Sequence, residues 1–317
     1  MTSRPSDSTK ASRLPLALAV GAVVLMLFAP LAVYPIFLMN VLCFALFASA
    51  FNLLIGYVGL LSFGHAAFFG GSAYIAAHSA KVWGFTPELA ILLGVGFALV
   101  LGVMIGWLAI RRQGIYFAMI TLSLGQLVFF VFLQSAFTGG EDGIQSVPRG
   151  HLFGLIDLNP TMNMYYFVLT LVVAGLFLLY RVVNSPFGAI LTAIRENEDR
   201  AISLGYSTRR YKLVAFTISA GIAGLAGGTK ALVFQIATLT DVNWHMSGEV
   251  ILMTLLGGLG TVLGPIVGAA VILSLQNYLA GSMFPVTVVI GAIFVACVLL
   301  FRRGIVGELS AWLQRRG

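Results

Sequence analysis

The sequence predicts an all-α, polytopic transmembrane fold, and three observations carry that prediction. Apolar residues make up 59% of the chain and charged residues 9%, with a mean hydropathy of +1.00, whereas a soluble globule carries about a quarter charged residues. Residues 14–80 and 250–301 contain no Lys, Arg, Asp or Glu. Each of these runs exceeds the roughly 20 residues of one helical span, so each holds more than one. The remaining charges gather in a few places, and their order along the chain reports topology.

The chain opens MTSRPSDSTKASR, too polar and too long before the apolar part for a cleavable signal, with no small-residue cleavage site at the right distance. The first span is therefore expected to stay as an anchor behind a cytoplasmic tail of residues 1–13. Cytoplasmic loops collect Lys and Arg. With the N-terminus cytoplasmic, Arg4, Lys10, Arg13, Arg111, Arg112, the cluster over 181–212, Arg302, Arg303, Arg315 and Arg316 all share that side. Of the 18 Lys and Arg residues, only Lys81, Arg149 and Lys230 fall elsewhere. The pI near 9.6 is thus a record of topology, and no nucleic-acid partner is expected.

Parity between these anchors predicts about ten spans, over 14–38, 40–58, 62–80, 89–110, 114–137, 162–181, 212–236, 249–262, 264–281 and 284–301. Together they form a transmembrane domain of residues 14–301, followed by a cytoplasmic tail, 302–317. Three crossings in 249–301 must be short. The count falls to eight or nine if the glycine-rich pieces at 56–64 or 257–264 dip in and return, which is tolerated only where protein or water satisfies the backbone. Some short or broken helices are therefore expected. The runs GYVGLLSFG and GGLGTVLG look alike, Gly56 and Gly59 matching Gly257 and Gly260. Parity gives both the same orientation, so they are not read as an inverted repeat.

Two polar segments interrupt the spans. The outer one, 138–161, is the longest predicted periplasmic loop and carries Glu141, Asp142, Arg149 and Asp157 among turn-forming glycines. It reads either as a solvated loop or as a dock for a soluble partner. The cytoplasmic one, 184–211, is far longer than a chain reversal needs and holds Arg195, Glu196, Glu198, Asp199, Arg200, Arg209 and Arg210. Ser185 is a good N-cap, Pro186 suits the first helical position, and Ile190, Ile194, Ala201 and Gly205 recur at near-helical spacing. A short amphipathic helix or helix pair at the membrane face is expected there.

Catalysis is not expected. The stretch GLAGGTKA at 224–231 has Gly-Thr-Lys where a P-loop needs Gly-Lys-Ser/Thr, and it lies in an apolar span. Any ATP must be hydrolysed on another chain, and no cofactor is expected on this one. His65, His78, His151 and His245 are scattered, and Cys43 and Cys297 lie far apart in apolar runs, so no metal site or disulfide framework is read. Polar groups at membrane depth are costly and mark function by default. On that ground Asn52, His65 and Gln126 are the candidate translocation-pathway residues. For His65 the alternative is a buried ring bonded to the broken backbone near 59–64, and for Asn52 and Gln126 interhelical hydrogen bonding. Lys230 and Glu249 are expected near the outer ends of their spans, snorkelling to the interface.

Taken in order, NLLIGYVGLLSFGHAAFFGGSAY, GIYFAMITLSLGQ, TGGEDGI, SPFGAILTAIRENEDRAISLGY and SGEVILMTLLGGLGTVLGPIVGA resemble the LivM-type inner-membrane permeases of bacterial branched-chain amino-acid ABC importers. The resemblance runs from about residue 40 to 300. It implies a multi-pass inner-membrane permease with both termini cytoplasmic, paired with a second, LivH-type permease. It also implies two ABC ATPase subunits and a periplasmic solute-binding protein as partners, with hydrophobic amino acids as the solute. Similar permeases serve urea, amides and aromatic acids. The resemblance makes 186–205 the segment that docks in an ATPase groove, with Pro186, Gly188, Arg195, Glu196, Asn197, Glu198, Asp199 and Gly205 as coupling residues. Asp199, Arg200, Ala201 and Gly205 echo the Glu-Ala-Ala-x3-Gly loop of ABC importers, with Asp for Glu and Arg for the first Ala. A secondary transporter or channel is the other reading; the lack of a mid-span Asp or Glu to couple ions weighs against it. A passive scaffold would leave the elaborate cytoplasmic segment unexplained.

Overall fold

A computed structural model describes residues 25–279 and, beyond them, Gly21 and residues 288–289, 291–292, 295 and 304–308. The expected N-terminal tail, most of the C-terminal tail and of the tenth span, the start of the first and Cys297 lie outside the described residues. The fold is all-α. The helices are α1 (Pro35–Asn52), α2 (Ala66–Lys81), α3 (Pro87–Ala109), α4 (Gly114–Gln134), α5 (Thr161–Val183), α6 (Pro186–Glu196), α7 (Glu198–Ser203), α8 (Thr208–Phe234), α9 (Trp244–Gly257) and α10 (Gly264–Leu279).

Helix α1 is apolar on every side, as a helix enclosed by others must be, and residues 41–52 are buried without exception. It packs against α5, α8, α9 and α10, and its Phe44 and Phe47 rings meet Phe69 of α2. Helix α8 is the second central element, crossing α1, α2 and α3. Its small residues let these axes approach closely: a Cβ on Gly227 would overlap the Phe69 carbonyl of α2, and one on Gly102 of α3 would stand 2.6 Å from the Ala220 methyl. The outer helices bury one side and leave the other to lipid. Leu92, Val100, Met104 and Trp107 on α3, and Phe177 on α5, are exposed, as an apolar solvent allows.

Eight of the predicted spans coincide with a helix, but several boundaries move. The 14–38 and 40–58 spans were divided at residue 39. The break instead falls ahead of Pro35, which starts α1 after a short 3-10 turn at Ala29–Leu31, because proline cannot continue a helix that arrives from its N-terminal side. The 62–80 span begins only at Ala66, after an irregular stretch, and 212–236 starts four residues early as the 27-residue α8. Five helices among the described residues, α1 with its extension, α3, α4, α5 and α8, are long and apolar enough to cross a membrane. The 14 residues of α9 reach about 21 Å and the 16 of α10 about 24 Å, both short of a hydrocarbon core of about 30 Å.

The 138–161 loop is strapped to the bundle. Strand β1 (Ile144–Gln145) pairs antiparallel with β4 (Ile236–Ala237), which follows α8, and β2 (His151–Leu152) pairs with β3 (Ile156–Asp157) as a hairpin. Lys81 donates to the Gln145 carbonyl at 2.8 Å, and Arg149 donates to the carbonyls of Val233 at 2.8 Å and Asn159 at 3.2 Å. Burial lowers the Arg149 guanidinium from its ordinary range. The expected turn glycines are real: Gly139, Gly140 and Gly143 all have positive φ.

Candidate functional site

The polar segment folds as the predicted helix pair. Ser185 Oγ accepts from the Gly188 amide at 3.4 Å, and Pro186 opens α6. Gly188 is required by the sharp exit from α5, because a Cβ there would overlap the Val183 carbonyl oxygen. Leu191 and Ile194 are buried against the bundle, while Ile190 is half-buried. Asn197, assigned to the coupling set from sequence, is the hinge between the two helices. Its Oδ1 accepts from the Arg200 amide at 2.9 Å and caps α7. Gly205 closes α7 at φ +89°, with Tyr206 N–H returning to the Ala201 carbonyl at 3.1 Å.

The charges divide into two groups. Glu198 faces inward: its Oε2 takes Lys212 Nζ of α8 at 2.5 Å and Gln113 Nε2 of the α3–α4 connection at 2.6 Å, with the two side chains of the ion pair 17% and 6% exposed. Arg195 also turns back onto its own chain, donating to the Gly56 carbonyl. Glu196, Asp199 and Arg200 are exposed, and Arg195 as a whole is exposed as well, with only its bond to Gly56 directed inward. Beside them stand Ile202, Leu204 and Tyr206, 53%, 70% and 41% exposed, an apolar patch missed in the sequence because residues at the end of a six-residue helix show no period.

Arg195 reaches a junction of broken backbone. Beyond α1 the chain continues as a π-turn, Leu53–Val58, and ends at Gly59 in the left-handed conformation, φ +80°. This turn lies against the connection between α9 and α10. Asn52 spans the gap, donating Nδ2–H to the Thr261 carbonyl at 2.9 Å and accepting the Gly260 amide on Oδ1 at 3.0 Å. A Cβ on Gly56 would stand 2.7 Å from the Gly260 nitrogen. The two similar glycine runs of the sequence therefore meet face to face, and Asn52 is the polar link between them. A crevice beside it, lined by Ser49, Tyr57, Leu176, Tyr180 and Val262, separates α1 from α5.

His65 lies at the foot of α2, fully buried among Phe47, Phe51, Phe68 and Phe216. Its Nε2 meets Ser219 Oγ of α8 at 3.1 Å. The Ser219 hydroxyl donates to the Ala50 carbonyl, so Nε2–H is the donor to Ser219, and Nδ1 has no partner among the described residues. Gln126 stands apart from these groups. It lies half-buried on the outward side of α4, in an open groove with Ser123, Leu127, Phe130, Val131 and Gln134.

The snorkelling expected of Lys230 is not observed. Its ammonium pairs with Asp241, which is 3% exposed, and lies 5.6–6.0 Å from the ring centroids of Phe69, Phe44 and Phe234. A lone cation at this depth is costly, and the 3-10 turn Leu239–Asp241 brings a carboxylate to it. No group of three or more metal-ligating side chains occurs among the described residues.

Comparison with known proteins places these features in a family. The family model described as "Branched-chain amino acid transport system / permease component" matches residues 34–301. The high-affinity branched-chain amino acid transport system permease protein LivM of Escherichia coli (strain K12) is 31% identical over 241 residues, 69% of this chain and 57% of that protein. The autoinducer 2 import system permease protein LsrC of Salmonella typhimurium is 29% identical over 207 residues, 62% of this chain and 55% of that protein. The probable branched-chain amino acid transport permease protein LivH of Methanocaldococcus jannaschii is 28% identical over 140 residues, 42% of each chain. This chain thus spans little more than half the length of the LivM and LsrC relatives. No solved structure matches it.

Proposed function

The chain belongs to the family of permease components of branched-chain amino acid transport systems, and from that premise we propose that it is the membrane-spanning subunit of an ATP-driven importer. In this reading it passes branched-chain or other hydrophobic amino acids across a bacterial inner membrane with a second, LivH-type permease. Two ABC ATPase subunits hydrolyse the ATP, a periplasmic binding protein delivers the solute, and both termini of this chain are cytoplasmic. The observation that carries the proposal is the helix pair α6–α7. It is anchored inward through Leu191, Ile194, Arg195 and Glu198, and it offers Glu196, Asp199, Arg200, Ile202 and Leu204 outward. A carrier working alone has no use for such an outward face.

On the same reading Gln126 and Ser123 line the route. Uncapped amides are expensive in hydrocarbon, and the outward groove of α4 supplies polar groups among apolar ones. The bond to Ser219 and the surrounding phenyl rings support a structural role for His65, at the crossing of α1, α2 and α8. The test is co-purification and transport. Complexes isolated through this chain should contain an ATPase and a second permease, and in liposomes should take up leucine only with ATP inside and a binding protein outside. Uptake by this chain alone, or driven by an ion gradient, would replace the proposal with a secondary transporter. ATP-dependent complexes that accept only urea, amides, aromatic acids or autoinducer 2 would keep the mechanism and change the solute.

A further inference from the structure

Three observations converge on Arg195. The helix that carries it, α6, lies directly against the π-turn Leu53–Val58. Its guanidinium donates to the Gly56 carbonyl inside that turn, its Cγ would be 3.1 Å from a Cβ on Gly59, and its Nη1 would be 3.7 Å from one on Gly260. Asn52, one residue before the turn, holds Gly260 and Thr261 by two hydrogen bonds of its own. The ends of four helices, α1, α6, α9 and α10, thus meet in one polar knot in which glycine is required for backbone to touch backbone. A second chain of contacts, through Glu198, ties α7 to the starts of α4 and α8.

π-turns are rare in proteins and occur frequently at functional sites. The carbonyls they release at a helix C-terminus carry partial negative charge, which a guanidinium satisfies. Arg195 is thus suited to hold the turn in this form. We propose that Arg195 is a positioning residue that clasps α6 to the π-turn of α1, so that displacement of α6 moves the ends of α1, α9 and α10 as one body. Arg195 then carries force inward from the helix pair instead of contacting an ATPase, and Asn52 passes it across to the 258–263 connection. The clasp deepens the importer reading and rests on it for the source of the displacement. The contact itself belongs to this chain alone.

The experiment therefore reads the contact and its consequence separately. In the purified chain, amide hydrogen exchange at Gly260, whose N–H is held by Asn52, should quicken about tenfold in Arg195→Ala and in Asn52→Ala, a change in the usual range for local coupling. Arg195→Gln, which keeps an N–H donor, should lie between these variants and the native chain. In reconstituted complexes, Arg195→Ala should lower leucine uptake per ATP hydrolysed about tenfold at an unchanged ratio of ATPase to permease. The double variant with Asn52→Ala should be no worse than the weaker single one. Unchanged exchange at Gly260 in both Arg195 variants overturns the clasp whatever the partners do. Loss of the ATPase from Arg195→Ala complexes, or native uptake per ATP, overturns it too. If Arg195→Ala does not accumulate, Arg195→Gln and Asn52→Ala decide by the same readouts. Failure of the native chain to recruit an ATPase would refute the importer reading and leave the exchange result standing.

Discussion

Glu198 holds two partners at once, Lys212 at 2.5 Å and Gln113 at 2.6 Å, and this explains why adjacent acidic residues in one short helix should behave differently on substitution. Removing one member of a buried ion pair costs about 3–5 kcal/mol because the other charge is left without compensation. The partial exposure of Glu198 brings the expected cost of Glu198→Ala toward about 2 kcal/mol. Asp199, exposed and outside any ion pair among the described residues, should cost no more than about 0.5 kcal/mol when replaced by Ala. Thermal unfolding of the two purified variants in detergent checks this. Equal melting temperatures would mean that the Glu198–Lys212 pair adds nothing to stability. Neither role can be separated in the string RENEDR, because the partners lie 14 and 85 residues away. Lys230 gives the same lesson: the sequence let it snorkel from the end of its span, and Asp241 becomes its counter-ion only through the turn after α8.

At the scale of elements, α6 and α7 were legible because caps are local. Ser185 and Pro186 act within three or four residues of themselves, so their chemistry is written in adjacent letters; Asn197 and Gly205, read from the sequence as coupling residues, turn out to be the caps of α7. The outward face of the pair was not. Ile202 and Leu204 are apolar residues of α7 and its C-cap, and only the placement of α8 leaves them exposed. If they enter a groove on an ATPase, Ile202→Ser with Leu204→Ser should reduce the ATPase recovered with the permease about tenfold or more, as loss of central apolar anchors does at other interfaces. The amount of this chain in the membrane should not change, since neither residue is buried. Quantitative blotting of isolated complexes measures both, and full recovery of the ATPase would remove this patch from the interface. The π-turn was likewise invisible: LLIGYV reads as ordinary apolar helix until Gly260 packs against Gly56.

Over the whole molecule, the helix ends sort into two sets. Gln113, Lys212, Arg195 and the Gly56–Gly260 contact meet at one end, and Lys81, Arg149 and the β1–β4 pair meet at the other. On the sequence, these two sets are expected at opposite faces of the membrane. With the first set cytoplasmic, a single cysteine at Asp142 in a cysteine-free background should react with an impermeant maleimide added outside. One at Asp199 should react only after the membrane is opened. The reverse pattern would invert the topology. Residue order alone was sufficient for the membrane class and the presence of a helix pair. Hydrophobic length, charge bias and capping act over at most one span and do not depend on what packs nearby. The lengths of the crossings near 249–279, the pairing of Lys230 with Asp241 and the junction of Arg195, Asn52, Gly56 and Gly260 depended on the packed fold. Each is a contact between segments up to about 200 residues apart, set by which backbones can touch, and a linear pattern of apolar residues holds no record of that.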